Sequence, residues 1–219
     1  MTLIATAYAH ECIVMGTDTL LQRTENYQTN KIIGYGSIQK LFFIRKTGTG
    51  ISVRGRASWG EKTIKQILQN FTHTVESSMR QCDVADALQL YIKSNFPQLE
   101  TSYHIAGYQD NEPFIYDLDF DSGLNLVREN VDRKGFLRYS VLARIDDTEV
   151  RNQVLPLPDF SKMQENQVFD FMETLFKLKI QAENLKPTPS VGYPIDYLFL
   201  SHDQSKFVSN KIASDFLLD

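Results

Sequence analysis

The sequence predicts an α+β protein in which two stacked, mainly antiparallel β-sheets carry helices on their outer faces. Short apolar strand patterns come first, two helical patterns follow, and then come more strands, a long helix and a last strand. Sheets bury their apolar faces against another sheet or against helices, and this order of elements suits both kinds of contact. Because no internal repeat or long linker divides the 219 residues, we predict a single domain covering residues 1–219.

The first strand patterns come in pairs. Residues 2–8 (TLIATAY) and 12–17 (CIVMGT) are short, apolar and partly β-branched, which predicts a hairpin of two buried strands. Residues 40–45 and 50–54 predict a second pair across the glycine-containing turn KTGT. Residues 19–39 are polar and rich in Asn, Gln, Thr and Gly, which predicts an extended loop or a weak hairpin.

Helical periodicity begins after the second strand pair. Ser58 and Glu61 have the spacing of a capping box, and apolar residues follow at intervals of three and four. A second helix is predicted from Asp83 onward, and Pro97 prevents it from continuing. A third, longer helix is predicted from about 161 to about 183, because its apolar residues keep the same spacing.

Strand patterns resume between the second and third helices. Residues 102–108, 112–120 and 124–130 are joined by the turns QDN and DSG, which predicts a three-stranded meander. Residues 135–144 are a fourth candidate strand, and the last strand is predicted at 195–201.

Composition argues against several function classes. A net charge of −4 offers no basic face for nucleic acid or anionic lipid. Cys12 and Cys82 have no CxxC spacing and the four histidines have no paired ligand spacing, so no metal, cofactor or disulfide framework is predicted. No apolar run approaches the ~20 residues of a membrane helix, and residues 1–8 lack the charged leader of a signal peptide. We therefore expect a cytoplasmic protein without a membrane contact.

A resemblance to a known family lies in four segments near the N-terminus. Residues 2–5 (TLIA), 13–18 (IVMGTD), 40–42 (KLF) and 51–55 (ISVRG) resemble the β-type subunits of the proteasome and their simpler bacterial relatives. The predicted meander and the segment SVGYPIDYLFLSHD extend the resemblance over nearly the whole chain. Because those proteins are N-terminal nucleophile (Ntn) hydrolases, the resemblance implies a proteasome β-subunit-like domain with a four-layer αββα sandwich.

The resemblance also implies a catalytic set. Mature chains of the family begin with a catalytic threonine, which corresponds to Thr2 once Met1 is removed. Asp18 stands sixteen residues after Thr2, at the spacing of the family's first catalytic aspartate. For the catalytic lysine there are two candidates, since Lys31 lies near the expected distance whereas Lys40 directly precedes the strand LFFI, as in the family. The context favours Lys40 and implies an insertion in the preceding loop.

Four further positions follow from the resemblance. The backbone amide of Gly55 corresponds to the family's oxyanion donor, and Val53 and Ala57 correspond to the substrate pocket. Ser190 corresponds to a serine of the late turn that supports the threonine amine. The family commonly has an aspartate three residues before that serine, and here the position is Pro187, which cannot act as an acid.

Elementary chemistry supports these roles. A threonine hydroxyl needs a base beside it, and the free α-amine of Thr2, with a reference pKa near ~8, can accept its proton. The ammonium group of Lys40 would favour loss of that proton, and Asp18 would hold the lysine in place. The Gly55 amide would stabilise the oxyanion, an effect typically worth ~3 kcal/mol, and glycine allows the substrate backbone to approach closely. The predicted reaction is peptide hydrolysis.

The sequence leaves several functions open. The first is a threonine-type endopeptidase of a proteasome-like, self-compartmentalising protease, in which identical subunits form a homo-oligomeric ring around polypeptide substrates, with an ATP-dependent unfoldase as a conceivable partner. The second is a catalytically inactive scaffold or regulatory subunit with the same fold. A third is an Ntn hydrolase for small non-peptide amides. Arg54 and Arg56 flank Gly55, where they would either block the cleft or select acidic substrate side chains.

Overall fold

The computed structural model describes residues 3–24, 32–143, 148–208 and 217–218. Its elements confirm the predicted α+β class, with mainly antiparallel sheets and few helices. The described part of the chain contains fifteen strands: β1 Ile4–Tyr8, β2 Ile13–Asp18, β3 Leu20–Thr24, β4 Ile32–Ser37, β5 Leu41–Ile44, β6 Thr49–Gly55, β7 Ser58–Trp59, β8 Lys62–Thr63, β9 Thr101–Gln109, β10 Glu112–Asp119, β11 Asn125–Arg128, β12 Ser140–Ala143, β13 Ile195–Leu200, β14 Ser205–Val208 and β15 Leu217–Leu218.

Four α-helices accompany these strands within the described residues. They are α1 Ile64–Thr72, α2 Asp83–Asn95, α3 Thr148–Val154 and α4 Glu165–Asn184, and a short 3₁₀ helix, Phe160–Lys162, precedes α4. None of the helices in the described ranges is long and apolar enough to span a membrane.

The strands form two large sheets. The first sheet has five strands in the order β12-β1-β2-β13-β14, and all its pairings are antiparallel. The second sheet has six strands in the order β11-β10-β9-β6-β5-β15, in which β15 pairs parallel with β5. Each sheet draws strands from both halves of the chain, so neither can form from one half alone. The pairs β3-β4 and β7-β8 make separate two-stranded hairpins.

Three clusters of buried apolar side chains form the core. One combines residues of the two sheets: Tyr8, Ile13, Met15, Leu41, Phe43, Ala106, Ile115, Leu198 and Leu200. A second combines the second sheet with α1 and α2, and a third combines the first sheet with α4. Removing this apolar surface from water is the main driving force that holds sheets and helices together.

Gly16 lets α4 pack closely on the first sheet. A Cβ atom at Gly16 would lie 2.5 Å from Cε2 of Phe176 and 3.2 Å from Cε of Met172, so a larger residue would force these α4 side chains to shift. Gly16 stands two residues before Asp18, which ends β2.

The start of α1 differs from the sequence prediction. The capping box predicted at Ser58 and Glu61 is wrong, because Ser58 lies in the β7-β8 hairpin and α1 begins only at Ile64. Thr63 caps the helix instead: its hydroxyl accepts a hydrogen bond from the backbone amide of Gln66, and its own amide donates to the Gln66 side chain. The box has the predicted chemistry, displaced by five residues.

Other boundaries also differ from the predictions. Residues 19–39 contain the antiparallel pair β3-β4, as the weak-hairpin alternative predicts, although residues 25–31 lie outside the described residues. The candidate strand 135–144 shortens to Ser140–Ala143 and pairs with β1. The third helix starts at Glu165 because Gln164 and Gln167 form a capping box there.

Candidate active site

Asp18 lies at the end of β2, and its buried carboxylate accepts hydrogen bonds from two neighbouring backbone segments. Its Oδ1 accepts a hydrogen bond of 3.0 Å from the amide of Leu3, and its Oδ2 accepts one of 3.1 Å from the amide of Leu20. The amide of Asp18 in turn donates to the carbonyl of Leu3 at 3.3 Å. Thr2 itself lies outside the described residues. These bonds place Asp18 beside Leu3, the residue that follows Thr2 in the chain.

Lys40 is the ion-pair partner of Asp18. Its Nζ lies 3.1 Å from Oδ2 of Asp18 and donates a 2.6 Å hydrogen bond to the carbonyl of Leu20. The two side chains are 6% and 0% exposed. Lys31, the other candidate lysine, lies outside the described residues. Lys40, the lysine that the sequence context favours, thus pairs with Asp18, and its catalytic role stays a prediction.

The Asp18 carboxylate and the Lys40 ammonium depend on each other. Burial raises the pKa of Asp18, while the charge and hydrogen bond of Lys40 and the amides of Leu3 and Leu20 act in the opposite direction. A buried charge is costly without a partner, so removing either member would leave the other uncompensated. Such a pair holds an ammonium group at a fixed place near the start of the chain.

Gly55 ends β6 and is connected to Lys40 through the backbone. The amide of Val53 donates to the carbonyl of Lys40 at 2.8 Å, which places Gly55 two residues beyond that bond. Gly55 has φ of 113°, and a Cβ there would overlap the carbonyl oxygen of Glu100 and lie 2.9 Å from Cα of Thr101. Glycine is thus required by the chain's own backbone, and the role of its amide as an oxyanion donor stays a prediction.

Val53 and Ala57, the two residues predicted to line a substrate pocket, differ in burial. Val53 is 3% exposed and belongs to the core cluster that contains Ile64 and Leu68. Ala57 is half-buried, and its carbonyl accepts a 2.9 Å hydrogen bond from the amide of Ile64, at the first residue of α1. Their role as pocket residues stays a prediction.

The two arginines that flank Gly55 both have carboxylate partners. Nη2 of Arg54 lies 2.9 Å from Asp119 and 3.6 Å from Asp121. Nε of Arg56 lies 2.8 Å from Glu100. These pairs neutralise much of the charge that would otherwise attract acidic substrate side chains.

Ser190 has an acidic partner that sequence reasoning missed. Its amide and its hydroxyl both donate to Oε2 of Glu183, at 2.9 and 2.8 Å. The other oxygen, Oε1, lies 3.0 Å from Nζ of Lys179 and 2.6 Å from Nζ of Lys186. Burial opposes ionisation of Glu183, but these hydrogen bonds outweigh it and lower its pKa to about 2. The acid comes from the last turn of α4, seven residues before the serine, rather than from position 187.

The late turn, residues 185–194 between α4 and β13, carries Ser190 and contacts the chain immediately after Asp18. The side chain of Gln22 donates to the carbonyl of Pro189 at 2.9 Å, and the amide of Thr19 donates to the carbonyl of Pro194 at 3.1 Å. Ile195, which starts β13, pairs directly with Asp18 in the first sheet. Asp18, Lys40 and this late turn therefore meet at one end of the first sheet.

The described residues contain no group of three or more His, Cys, Asp or Glu side chains that could hold a metal ion. The site as described is built from a carboxylate, ammonium groups, backbone amides and hydroxyls. These are the groups that position a nucleophile and stabilise developing negative charge.

Comparison with known proteins gives a fold relationship. No protein-family model matches the sequence, and a search of curated proteins finds no match either. Two similar solved structures are Anbu from Hyphomicrobium sp. strain MC1 and its Gly-1 mutant. They share 13% sequence identity with this chain at TM-scores of 0.66 and 0.68, covering 97% and 98% of it and 89% and 90% of their own chains.

A third similar structure is described as a helical assembly of the Anbu complex from Pseudomonas aeruginosa. It shares 12% identity at a TM-score of 0.61, and the match covers 97% of this chain and 88% of that one. These structures overturn the assignment to the proteasome β-type subunits, because the similar structures are Anbu proteins. At this level of identity the likeness shows the fold alone, which is Anbu-like.

Proposed function

We propose that this chain is a threonine-type peptidase of the Ntn hydrolase class that works within an Anbu-like homo-oligomeric assembly. The observation that carries the proposal is the buried Asp18–Lys40 pair, whose carboxylate is bonded to Leu3, the residue directly after Thr2. A buried charge pair that contacts the first residues of a chain suits the activation of an N-terminal nucleophile.

The proposed mechanism begins with removal of Met1, which frees the α-amine of Thr2. That amine accepts the proton of the Thr2 hydroxyl as the oxygen attacks the carbonyl of a peptide bond. The Lys40 ammonium, held by Asp18, lowers the cost of the negative charge on the threonine oxygen. The amide of Gly55 donates to the oxyanion of the tetrahedral intermediate. The intermediate collapses to an ester on Thr2 as the C–N bond breaks and the leaving amine takes the proton held by the α-amine. Water then hydrolyses the ester, which releases the carboxylic acid product and restores the Thr2 hydroxyl.

The late turn has a supporting role in this mechanism. Ser190 stands in a turn that packs against the residues following Asp18, and its hydroxyl is fixed by Glu183. We assign Ser190 to the support of the Thr2 amine, and Val53 and Ala57 to the wall of the substrate pocket next to Gly55.

We also propose a four-layer αββα arrangement of one domain over residues 1–219. Three core clusters support it: one between the sheets, one under α1 and α2, and one under α4. The helical assembly described for the Pseudomonas Anbu complex supports a homo-oligomer but does not support the closed ring that the sequence predicts. Polypeptide substrates follow from the proposed chemistry, whereas an ATP-dependent unfoldase stays an expectation of the sequence alone.

The test is hydrolysis of short fluorogenic peptides by the purified chain and by its Thr2→Ala variant, after intact mass has established whether Met1 is present. We expect turnover in the wild type and none in the variant. Turnover of small non-peptide amides alone would indicate a different Ntn hydrolase. Assembly without turnover or labelling, in protein that lacks Met1, would indicate the catalytically inactive scaffold.

A further inference from the structure

Glu183 occupies a position of α4 where an apolar residue would be expected. Phe176 and Ile180, seven and three residues earlier, belong to the core cluster between α4 and the first sheet. Glu183 continues that face at helical spacing and is 1% exposed. A carboxylate there pays a desolvation cost that a leucine would avoid. This cost points to a role other than packing.

The partners of Glu183 come from α4 and from the late turn that follows it. Lys179 precedes it by one helical turn, Lys186 follows the end of α4, and Ser190 gives it both an amide and a hydroxyl hydrogen bond. Two cations and two donors thus converge on one carboxylate. The turn is tied to the helix at Ser190, and its next residue, Val191, is buried in the same core cluster.

The late turn also forms hydrogen bonds with the residues that follow Asp18. The carbonyl of Pro189 accepts a 2.9 Å hydrogen bond from Gln22, and the carbonyl of Pro194 accepts bonds from the amide and hydroxyl of Thr19, at 3.1 and 3.0 Å. Through Pro189 and Pro194, the late turn therefore holds β3 and Thr19, the residue before β3.

Leu20 lies between these two anchor points and contacts both charges of the buried pair. Its amide donates to Oδ2 of Asp18 at 3.1 Å, and its carbonyl accepts the 2.6 Å hydrogen bond of Lys40. Its side chain lies against Gly192 of the late turn, where an added Cβ would be 3.3 Å from Cδ2 of Leu20. A shift of the turn would move Leu20 and, with it, the ammonium group.

We propose that Glu183 is a positioning residue for the Asp18–Lys40 pair, acting through Ser190, the late turn and Leu20. It supplies from the end of α4 the acidic anchor that is missing at position 187. The inference rests on the proposed function only in taking that pair to serve Thr2. The contacts among Glu183, the turn and Leu20 are independent of it.

The kinetic test compares Glu183→Gln with Glu173→Gln. Glu173 lies on the same helix in an exposed pair with Lys177, so its variant controls for loss of a helix carboxylate. We expect Glu183→Gln to lower kcat on a fluorogenic peptide by up to about 100-fold while KM changes little, because a misplacement of about 1 Å can cost that much. The Glu173 variant should keep the wild-type kcat.

A double variant separates positioning from mere stability. Glu183→Gln leaves Lys179 buried without its carboxylate, and combining it with Lys179→Met removes that unpaired charge. We expect the double variant to regain thermal stability while kcat stays low. Recovery of kcat together with stability would overturn the positioning role.

Hydrogen exchange tests the same inference without any catalytic readout. In Glu183→Gln, we expect faster exchange at the amide of Ser190 and also at the amide of Leu20, which bonds to Asp18. Faster exchange confined to Ser190 would overturn the inference even if the wild type hydrolyses peptides. Conversely, an inactive wild type with coupled exchange at both amides would refute the proposed function and leave the coupling intact.

Discussion

The ammonium group of Lys40 lies 3.1 Å from the carboxylate of Asp18, with neither side chain more than 6% exposed. Twenty-two positions separate the two residues in sequence, and the end of β2 and the start of β5 bring them together. Their contact organises the candidate site, since Leu3 and Leu20 bond to the same carboxylate.

Replacing Asp18 by asparagine should affect both stability and turnover. The variant leaves the Lys40 charge buried without compensation, and we expect it to lower the free energy of unfolding by about 3–5 kcal/mol. Turnover should fall by about 100-fold or more, because the ammonium group loses its fixed position. Urea unfolding and peptide hydrolysis measure the two effects. Asp83→Asn, which alters an exposed pair with Arg80, should leave both near wild type.

The two lysines weighed from the sequence can be separated directly. Lys40→Met should abolish turnover, because it removes the cation that we propose activates Thr2 and leaves the Asp18 charge without its ion-pair partner. Lys31→Met should leave turnover near the wild-type value. Hydrolysis assays on both variants, with circular dichroism to establish folding, decide between them. Loss of activity in the Lys31 variant with retention in the Lys40 variant would reverse the assignment.

Gly55 should tolerate no side chain. Gly55→Ala combines a φ of 113° with overlap of the Glu100 carbonyl, so we expect it to cost about 2–4 kcal/mol of folding stability. Gly60→Ala is a matched control, since Gly60 has φ of 57° but no atom within 4 Å of an added Cβ. It should cost about 1 kcal/mol. Equal costs in denaturant unfolding would show that the Glu100 contact is unimportant.

The pKa of Glu183 predicts how stability depends on pH. Its pKa is lowered from 4.5 to about 2 in the folded protein, so its contribution is present above about pH 4.5 and is lost as the pH falls toward 2. The advantage of the wild type over Glu183→Gln should shrink by roughly 3 kcal/mol between pH 6 and pH 2. Asp18 acts in the opposite sense, because its raised pKa favours the folded state at low pH.

Unfolding at a series of pH values measures this difference. The contribution of Asp18 is common to the wild type and Glu183→Gln, so it cancels when the two are compared. A gap between the two proteins that stays constant from pH 6 to pH 2 would mean that Glu183 is not held by its hydrogen bonds.

Much of the fold follows from local patterns. The β1-β2 hairpin, the β9-β10-β11 meander and α2 lie close to their predicted ranges, because each depends on alternation or helical spacing within one segment. The start of α1 was misplaced because two capping boxes five residues apart look equivalent without the β7-β8 hairpin. Short segments also resembled proteasome β-type subunits, and only the three-dimensional comparison identified the Anbu-like fold.

Sequence reasoning predicts the contact between Asp18 and Lys40 but not the contact between Glu183 and Ser190. The context of Lys40 before the strand LFFI led to the pair with Asp18, whereas Glu183 was not found. The family's motif places an acid three residues before the serine. Here the last turn of α4 supplies Glu183, which lies seven residues before Ser190. The signal available in the sequence was a glutamate on the apolar face of α4.

The most direct measurement is mass spectrometry of the purified protein after reaction with a threonine-directed electrophile. If Thr2 is the nucleophile, the N-terminal peptide should lack Met1 and carry one adduct on Thr2. The adduct should be absent in Thr2→Ala and slow to form in Lys40→Met. An intact Met1 without an adduct in protein that hydrolyses peptides, or unchanged turnover in Thr2→Ala, would contradict the role proposed for Thr2.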